Sequence, residues 1–304
     1  MRLITVNTKL LVLSLFSISL LMGCTYNEEN LNRYKQNIRT SKKFITLQQS
    51  SAEEYEKTMS KQQWELIWSD EFDYNGLPDK SKWGYDVIDP DPAGVGWGNH
   101  ERQDYTFKNP KNARVENGTL IIEARKEGRY SSARLVTRGK ADWKYVKIDV
   151  KAKMPTGRGV WPAIWLMPTD SVYGYWPHSG EIDIIEMAGF DPCMIHSSFI
   201  TEEYNWRLGR EKSIWAEIEA PYEKFHVYSI EWDSDKATIL IDGISAITFE
   251  NDGLHKATTW PFDQKFYLIM NIAVGGDWGG LFGVDPTIFP QQMVVDYVRV
   301  YKRK

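Results

Sequence analysis

Residues 181–186 read Glu181-Ile182-Asp183-Ile184-Ile185-Glu186, which places three carboxylates inside a run that is otherwise typical of a buried β-strand. On a helix, with 100° per residue, the three acids would point in scattered directions. On a regular strand with a period of two, Glu181 and Asp183 share a face, and Glu186 lies on the opposite one. A single β-bulge after Asp183 would return Glu186 to the same face as the other two acids.

Two interpretations of this acidic face are open from its pattern alone. Charged residues that alternate with apolar ones usually mark a half-solvated strand. The face has no basic partner, however, and like charges on one strand face repel each other, which a protein tolerates more readily where a shifted pKa is useful. With the bulge, the carboxyls of Glu181 and Glu186 could approach to about 5–6 Å, near the separation that retaining glycosidases use.

The composition indicates one large folded unit that does not bind nucleic acid. The chain has 304 residues, of which 42% are hydrophobic and 13% aromatic, enough for a large core. The net charge is −4 and no basic stripe is present, which makes nucleic acid an unexpected partner. Thirteen tryptophans are many for this length, and those in loop-like segments suit stacking against sugar rings.

The first 23 residues have the pattern of a signal peptide that is removed. Arg2 and Lys9 precede an apolar run that is short for a membrane span, although a short buried helix is the alternative. The run ends in Leu-Met-Gly-Cys24, which resembles a bacterial lipobox and predicts lipidation of Cys24. Because Cys193 is the only other cysteine, lipidation would leave one thiol and no intramolecular disulfide.

The segment 24–63 is polar and charge-rich, and it predicts a tether that holds the domain off the membrane. Its acidic start at residues 27–30 resembles the export signals of surface lipoproteins in Bacteroidetes-type bacteria. The expected location is therefore the cell outer membrane, with the protein anchored through Cys24 and exposed at the surface.

The remaining residues, 64–304, predict an all-β domain. Short apolar or alternating runs recur between Gly, Asp and Asn turn residues, for example Thr119–Arg125, Tyr145–Met154 and Phe266–Val274. Few helix signals interrupt them. The pattern favours a β-sandwich of the jelly-roll type, in which two curved antiparallel sheets form a concave cleft long enough for a polymer.

The sequence resembles glycoside hydrolase family 16. The hexapeptide matches the family's E-x-D-x-x-E signature in its bulged form. Five further motifs follow the family pattern: GWGNHERQDYT at 96–106, VWPAIWLMP at 160–168, WPFDQ at 260–264, NIAVGGDWGG at 271–280 and FPQQM at 289–293. The resemblance is to the laminarinase-like branch, which implies an endo-acting enzyme that cleaves β-1,3-glucan and often mixed-linkage β-1,3/1,4-glucan. A monomer is expected.

The resemblance implies a role for each acid. Glu181 would be the nucleophile and Glu186 the general acid/base of a retaining double displacement. Asp183 would modulate the charge of the nucleophile and help orient it. No cofactor is needed for this chemistry.

The resemblance also implies residues that bind the sugar chain. Trp161 and Trp165 are four residues apart on a predicted strand, so both would point the same way, with core packing as the alternative. His196 is expected on the neighbouring strand in contact with substrate, or as a structural histidine. The remaining cleft candidates are Asn99, Glu101, Arg134 and Trp278.

Members of the family often carry a structural calcium on the convex side of the domain. Glu71, the carbonyl oxygen of Gly118 and Asp296 could supply such a site here. The calcium would stabilise the fold and would take no part in catalysis.

Three alternatives to the glucanase remain open. His100 and Arg102 depart from the usual laminarinase motif, and a related branch with the same acids acts on galactans. A catalytically silent glycan-binding lipoprotein is the second alternative, although such relatives typically lose one or both glutamates. The third is a transglycosylase that remodels glucan.

Overall fold

A computed structural model describes residues 28–41, 44–47, 51–59, 63–87 and 97–304. The predicted signal peptide 1–23 and the lipidation site Cys24 lie outside these residues. Within the described ranges, no helix is long and apolar enough to cross a membrane.

Two short helices and eighteen strands make up the described secondary structure. The helices are α1 (Glu28–Ser41) and α2 (Ala52–Thr58), and a 3₁₀ turn spans Trp206–Leu208. The strands are β1 (Phe44–Thr46), β2 (Trp64–Asp70), β3 (Gly84–Tyr85), β4 (Gln103–Tyr105), β5 (Ala113–Glu116), β6 (Thr119–Glu127), β7 (Arg129–Ser132), β8 (Arg134–Val136), β9 (Lys147–Lys153), β10 (Val160–Pro168), β11 (Glu181–Met187), β12 (Met194–Ile200), β13 (Lys212–Glu217), β14 (His226–Trp232), β15 (Lys236–Ile241), β16 (Ile244–Glu250), β17 (Phe266–Val274) and β18 (Gln291–Arg303).

The strands form two sheets. The first sheet has the order β1-β13-β12-β11-β10-β17-β8-β3 and contains the acidic strand β11. The second sheet has the order β16-β15-β14-β9-β18-β6-β7-β4. In addition, β2 pairs with β18 and β5 pairs with β6. Neighbours are antiparallel except β1 with β13 and β4 with β7, which are parallel. The all-β sandwich predicted from the sequence is confirmed, with these two parallel pairs as departures.

Local sequence explains the strands that position the site. All nine residues of β17 are buried, as expected of a continuous apolar run in the middle of a sheet. The hairpin β15–β16 turns through Asp242 (φ 48°) and Gly243 (φ 78°), the two positive φ values that a two-residue hairpin turn requires.

One hydrophobic core fills the space between the sheets. Strand β11 contributes its apolar residues Ile182, Ile184, Ile185 and Met187, each fully buried. Since these side chains face the core, the carboxylates of the same strand are directed to the outer face of the sheet.

The described part of segment 24–63 is folded onto the domain, where the sequence predicted a polar tether. Strand β1 adds to the edge of the first sheet, with Phe44 opposite Trp215. Ile38 of α1 and Tyr55 of α2 are buried, and the Tyr55 hydroxyl donates to Asp149 Oδ2 at 3.1 Å. The packing was not predicted because only a few apolar side chains of this polar segment contact the domain.

Cys193 corrects a second expectation. The residue is buried and is disulfide-bonded in the structure, whereas lipidation of Cys24 would leave it as a free thiol. Cys24 is the only other cysteine in the sequence.

The side chains proposed as calcium ligands are already engaged by cations. Arg299 binds both carboxylate oxygens of Glu71, at 2.8 to 3.3 Å, and Lys151 Nζ lies 3.1 Å from Asp296 Oδ2. Gly118 lies in the tight turn that leads into β6, at φ 75°. In the described part of the chain, no cluster of three or more acidic, histidine or cysteine side chains could hold a metal. A calcium ion would require Arg299 and Lys151 to turn away, so these residues fit calcium poorly.

Candidate active site

A one-residue bulge in β11 brings the three acids to one face. On β12, Ser198 pairs with Asp183 and His196 pairs with Glu186, so two residues of β11 stand opposite one residue of β12. The pairing with β10 skips Ile184 in the same way. Ser197 Oγ donates to the carbonyl oxygen of Ile184 at 2.7 Å, which satisfies the polar group that the bulge displaces. The bulge predicted between Asp183 and Glu186 is confirmed.

The acids open into a cleft with two connected parts. One cavity of about 280 Å³ and another of about 490 Å³ are both lined by Glu181, Asp183 and Glu186. The first extends over β10, β17 and β8, and the second extends over β12 and β13. A long substrate can therefore cross the sheet with the acids near its middle.

Each carboxyl has its own hydrogen-bond partner. Trp176 Nε1 donates to Glu181 Oε2 at 2.5 Å, and Trp161 Nε1 donates to Glu186 Oε1 at 3.1 Å. The hydroxyl of Ser198 donates to Asp183 Oδ2. These donors fix the orientation of the acids from three different parts of the chain.

The pKa values of two acids are raised. Burial raises the pKa of Glu181 to about 7, with the charge of Glu186 adding to the rise. Burial also raises the pKa of Asp183 well above its ordinary value, and the charges of both glutamates add to it. A hydrogen bond joins Asp183 and Glu181. It lowers the pKa of Glu181 and raises the pKa of Asp183. Since both pKa values are raised, the Asp183–Glu181 pair retains a proton near neutral pH.

The two tryptophans of β10 lie on the same face, as predicted, and both line the cleft. Trp165 Nε1 donates to Asn271 Oδ1 at 2.8 Å, and Arg134 lies over the Trp165 ring at 4.7 Å from its centroid. Half-buried indoles held by hydrogen bonds at the floor of a cleft are suited to supporting sugar rings.

His196 lies on the neighbouring strand β12, as the sequence predicted. Its Nδ1 is 3.5 Å from Glu186 Oε2, and its ring packs on Trp215 with 4.6 Å between ring centroids. The other ring nitrogen, Nε2, is buried and has no hydrogen-bond partner among the described residues. A ring in this position can hold the Glu186 carboxyl in place.

The structure brings the remaining sequence candidates to the same cleft. Asn99 lines both cavities and Trp278 lines the larger one. Glu101 accepts from Gln103 Nε2 at 2.7 Å, and burial raises the pKa of Glu101. Arg134 lies between the rings of Trp97 and Trp165.

Comparison with known proteins identifies the family. The family model described as Glycosyl hydrolases family 16 matches residues 100–299. The chain belongs to this family.

Similar proteins agree with that assignment. Over 249 residues the chain is 52% identical to a protein named Beta-glucanase from Rhodothermus marinus, an alignment covering 79% of this chain and 85% of the relative. The X-ray structure of the laminarinase from Rhodothermus marinus has a TM-score of 0.75 and 52% identity, covering 79% of this chain and 98% of the other. SCLam, described as a non-specific endo-β-1,3(4)-glucanase from family 16, has a TM-score of 0.74 and 44% identity, covering 80% and 92%.

Sequence reasoning missed several residues of this family 16 site. Trp176 contacts Glu181, the guanidinium of Arg207 lies 4.5 Å from the Trp176 ring centroid, and the exposed Trp206 lies beside both. For the two tryptophans, the sequence signal was the excess of tryptophan in loop-like segments. Tyr34, Asn37 and Ile38 of α1 also line the larger cavity. Their signal was the i, i+3, i+7 spacing of Leu31, Tyr34 and Ile38, a narrow apolar stripe in an otherwise polar sequence.

Proposed function

We propose that the protein is an endo-acting, retaining β-glucanase that hydrolyses β-1,3-glucan, mixed-linkage β-1,3/1,4-glucan, or both. The observation that carries the proposal is the bulge at Ile184, which sets Glu181, Asp183 and Glu186 on the floor of one cleft. The cleft continues past the acids in both directions, which suits cleavage inside a chain. The glucanases similar to this chain support the substrate class.

The reaction follows from the positions of the acids. Glu186 gives its proton to the glycosidic oxygen, while a carboxylate oxygen of Glu181 attacks the anomeric carbon from the opposite face. The C–O bond to the leaving sugar breaks, and a glycosyl ester forms on Glu181. Glu186, now a carboxylate, takes a proton from water as that water attacks the anomeric carbon and releases Glu181.

Asp183 supports the nucleophile by holding a proton. Three carboxylates in one buried site cannot all be ionised without strong repulsion. With the proton on Asp183, a hydrogen bond to Glu181 stabilises the nucleophile as an anion, and the hydroxyl of Ser198 orients Asp183.

The preferred glucan is tested with a panel of substrates. The purified protein is incubated with laminarin, barley β-glucan, lichenan and agarose, and the products are separated by size. Oligosaccharides from at least one glucan, in the length range of an endo enzyme, are expected. Products from agarose alone would support the galactan alternative, and binding without products would support the silent glycan-binding alternative. With a laminari-oligosaccharide as substrate, products longer than the starting chain would support transglycosylation.

The departures from the laminarinase motif lie at one edge of the cleft. His100 is exposed, and its Nδ1 lies 2.8 Å from Asp277 Oδ1, next to Trp278. The aliphatic part of Arg102 packs on Gly275. Because neither residue lines the two cavities that contain the acids, we keep β-glucan as the proposed substrate class.

We also propose that the protein acts as a monomer, lipid-anchored at the bacterial outer membrane through Cys24 and exposed at the surface. No more than about 14 Å of chain separates the Cα atoms of Cys24 and Glu28, because four residue steps span at most about 3.5 Å each. Since α1 begins at Glu28, such an anchor would keep the domain close to the bilayer.

Lipidation of Cys24 would replace the disulfide that the structure gives Cys193, because Cys24 is the only other cysteine and its sulfur cannot form both a thioether and a disulfide. Mass spectrometry of the N-terminal peptide from membrane-extracted protein distinguishes the two. A diacylglyceryl mass on Cys24 is expected, and a Cys24–Cys193 peptide would contradict the anchor. Light scattering of the purified domain tests the monomer.

A further inference from the structure

Helix α1 lies beside the catalytic acids although it is distant from them in sequence. The cavity of about 490 Å³ is lined by Tyr34, Asn37 and Ile38 on one side and by Glu181 and Glu186 on the other. The helix also lies outside the residues 100–299 that the family model matches. The cleft therefore has a wall that the matched family domain does not itself supply.

Packing contacts hold α1 in place. Trp278 Nε1 donates to the Tyr34 hydroxyl at 2.9 Å, and the Tyr34 ring meets Phe190 edge-on at 5.4 Å between ring centroids. Ile38 is buried with Met194 and Trp215 in a small apolar cluster. One face of α1 is thus fixed against β12, β13 and the loop that carries Trp278.

The same contacts connect α1 to the acid/base. Trp278 meets Trp161 edge-on at 5.4 Å between centroids, and Trp161 donates to Glu186. Trp278 also packs on His196, which faces Glu186 from β12. The aromatic residues between Tyr34 and Glu186 form one continuous side of the cleft.

The same N-terminal segment forms the edge of the first sheet beyond β13. Strand β1 occupies the edge of β13, and α1 precedes it in the chain. A glucan chain that passes the acids towards β13 therefore meets α1. Asn37 is exposed and lines this part of the cavity, where its amide can both donate to and accept from sugar hydroxyls.

We propose that α1 forms the last sugar subsite of the cleft on the β13 side, with Asn37 contacting the glucan and Tyr34 and Ile38 positioning the wall. The inference rests on the proposed glucanase function. It makes the N-terminal segment a determinant of where the enzyme binds and cuts its substrate.

The test measures which bonds are cut in one oligosaccharide. A laminari-oligosaccharide labelled at its reducing end is cleaved by the full chain, and the labelled products give the frequency of cleavage at each bond. A loss of stability reduces the amount of active enzyme, but it does not change the ratio between bonds. The ratio therefore reports subsite binding and not folding.

The variants are matched within the helix. Asn37→Ala removes the proposed contact, and Asn37→Trp fills the end of the cavity, whereas Asn32→Ala makes the same truncation at another exposed position of α1 that does not line the cavity. Tyr34→Phe keeps the ring and removes the acceptor for Trp278. We expect Asn37→Ala to change the ratio between the two most frequent bonds about 2–10-fold, the effect of one lost hydrogen bond. Asn37→Trp should change it further, and Asn32→Ala should leave the wild-type ratio.

Three outcomes overturn the proposal. Unchanged ratios in both Asn37 variants, with the wild type active, show that α1 contacts no sugar and leave the glucanase function intact. Faster cleavage of polymeric laminarin by Asn37→Ala with an unchanged ratio shows that α1 obstructs the cleft. Absence of cleavage by the wild-type protein overturns the glucanase function together with this inference.

Discussion

The indole nitrogen Nε1 of Trp161 donates a hydrogen bond to Glu186 Oε1 at 3.1 Å, from the strand that also forms the cleft floor. One side chain thus lines the cleft and orients the proposed proton donor. Its counterpart Trp165 supports the same floor but donates to Asn271.

The pair allows a matched comparison. Trp161→Phe keeps an aromatic ring but removes the hydrogen bond to Glu186, so we expect kcat on laminarin to fall about 10-fold or more, the effect of losing a bond worth about 1.5 kcal/mol to an ionisable group. Trp165→Phe, which leaves the acids untouched, should change KM more than kcat. Equal effects of both variants on kcat would contradict this role of Trp161, and thermal unfolding of each variant controls for stability.

Asp183 gives a second comparison because asparagine resembles a protonated aspartic acid. If Asp183 holds the proton and donates to Glu181, Asp183→Asn keeps a donor in place and should retain kcat within about tenfold. Asp183→Ala removes the donor, and a loss of about 100-fold or more is expected from removal of one buried donor to a catalytic charge. A larger loss in Asp183→Asn than in Asp183→Ala would show that Asp183 acts as an anion.

The raised pKa of Glu181 predicts a pH dependence of stability. Between its ordinary pKa of 4.5 and the folded value of about 7, the native state holds a proton that the unfolded chain has released. The stability from this group is therefore fully present below pH 4.5 and is lost as the pH rises to about 7. Glu181→Gln is neutral at every pH, so its thermal midpoint should exceed that of the wild type above pH 7.

The difference should disappear towards pH 4.5, where both side chains are uncharged. For a domain of this size, each kcal/mol corresponds to about 2–4 °C in the midpoint. Thermal scans of the wild type and of Glu181→Gln from pH 4.5 to 8 measure the difference between the two midpoints. A constant difference across this range would contradict a raised pKa at Glu181.

The acidic strand β11 and its bulge could be predicted because both depend only on the order of residues within the strand. The alternation in residues 181–186 defines the two faces, and the odd spacing of Glu186 requires a bulge, which the structure has at Ile184. The i, i+4 spacing of Trp161 and Trp165 likewise placed both on one face. These inferences needed only the period of a strand.

The N-terminal wall could not be predicted in the same way. Its position depends on Tyr34 meeting Trp278, a contact between residues 244 apart in the chain. The local signal was a stripe of three apolar residues, Leu31, Tyr34 and Ile38, in a polar segment whose composition is typical of a tether. Trp176 was missed for a related reason, since its contact with Glu181 depends on how a loop folds back over the strand.

The cation pairing of the predicted calcium ligands has a measurable consequence. Because Arg299 neutralises Glu71 and Lys151 neutralises Asp296, we expect the thermal midpoint to be the same in millimolar calcium and in chelator. A rise of several degrees with calcium would show that the ion displaces these cations. Arg299→Ala, which removes one competitor, should then bind calcium more tightly than the wild type.

The central claim, that Glu181 is the nucleophile of a retaining enzyme, is tested most directly by chemical rescue of Glu181→Ala. The variant should lose about 10⁴-fold or more of kcat on an activated β-glucoside, since the covalent route is closed. Azide fits the space left by the carboxylate and can attack the same face of the anomeric carbon. The anomeric configuration of the glycosyl azide, read by NMR, is the decisive measurement. We predict the α-azide; a β-azide, or full activity of Glu181→Ala without azide, would contradict the account.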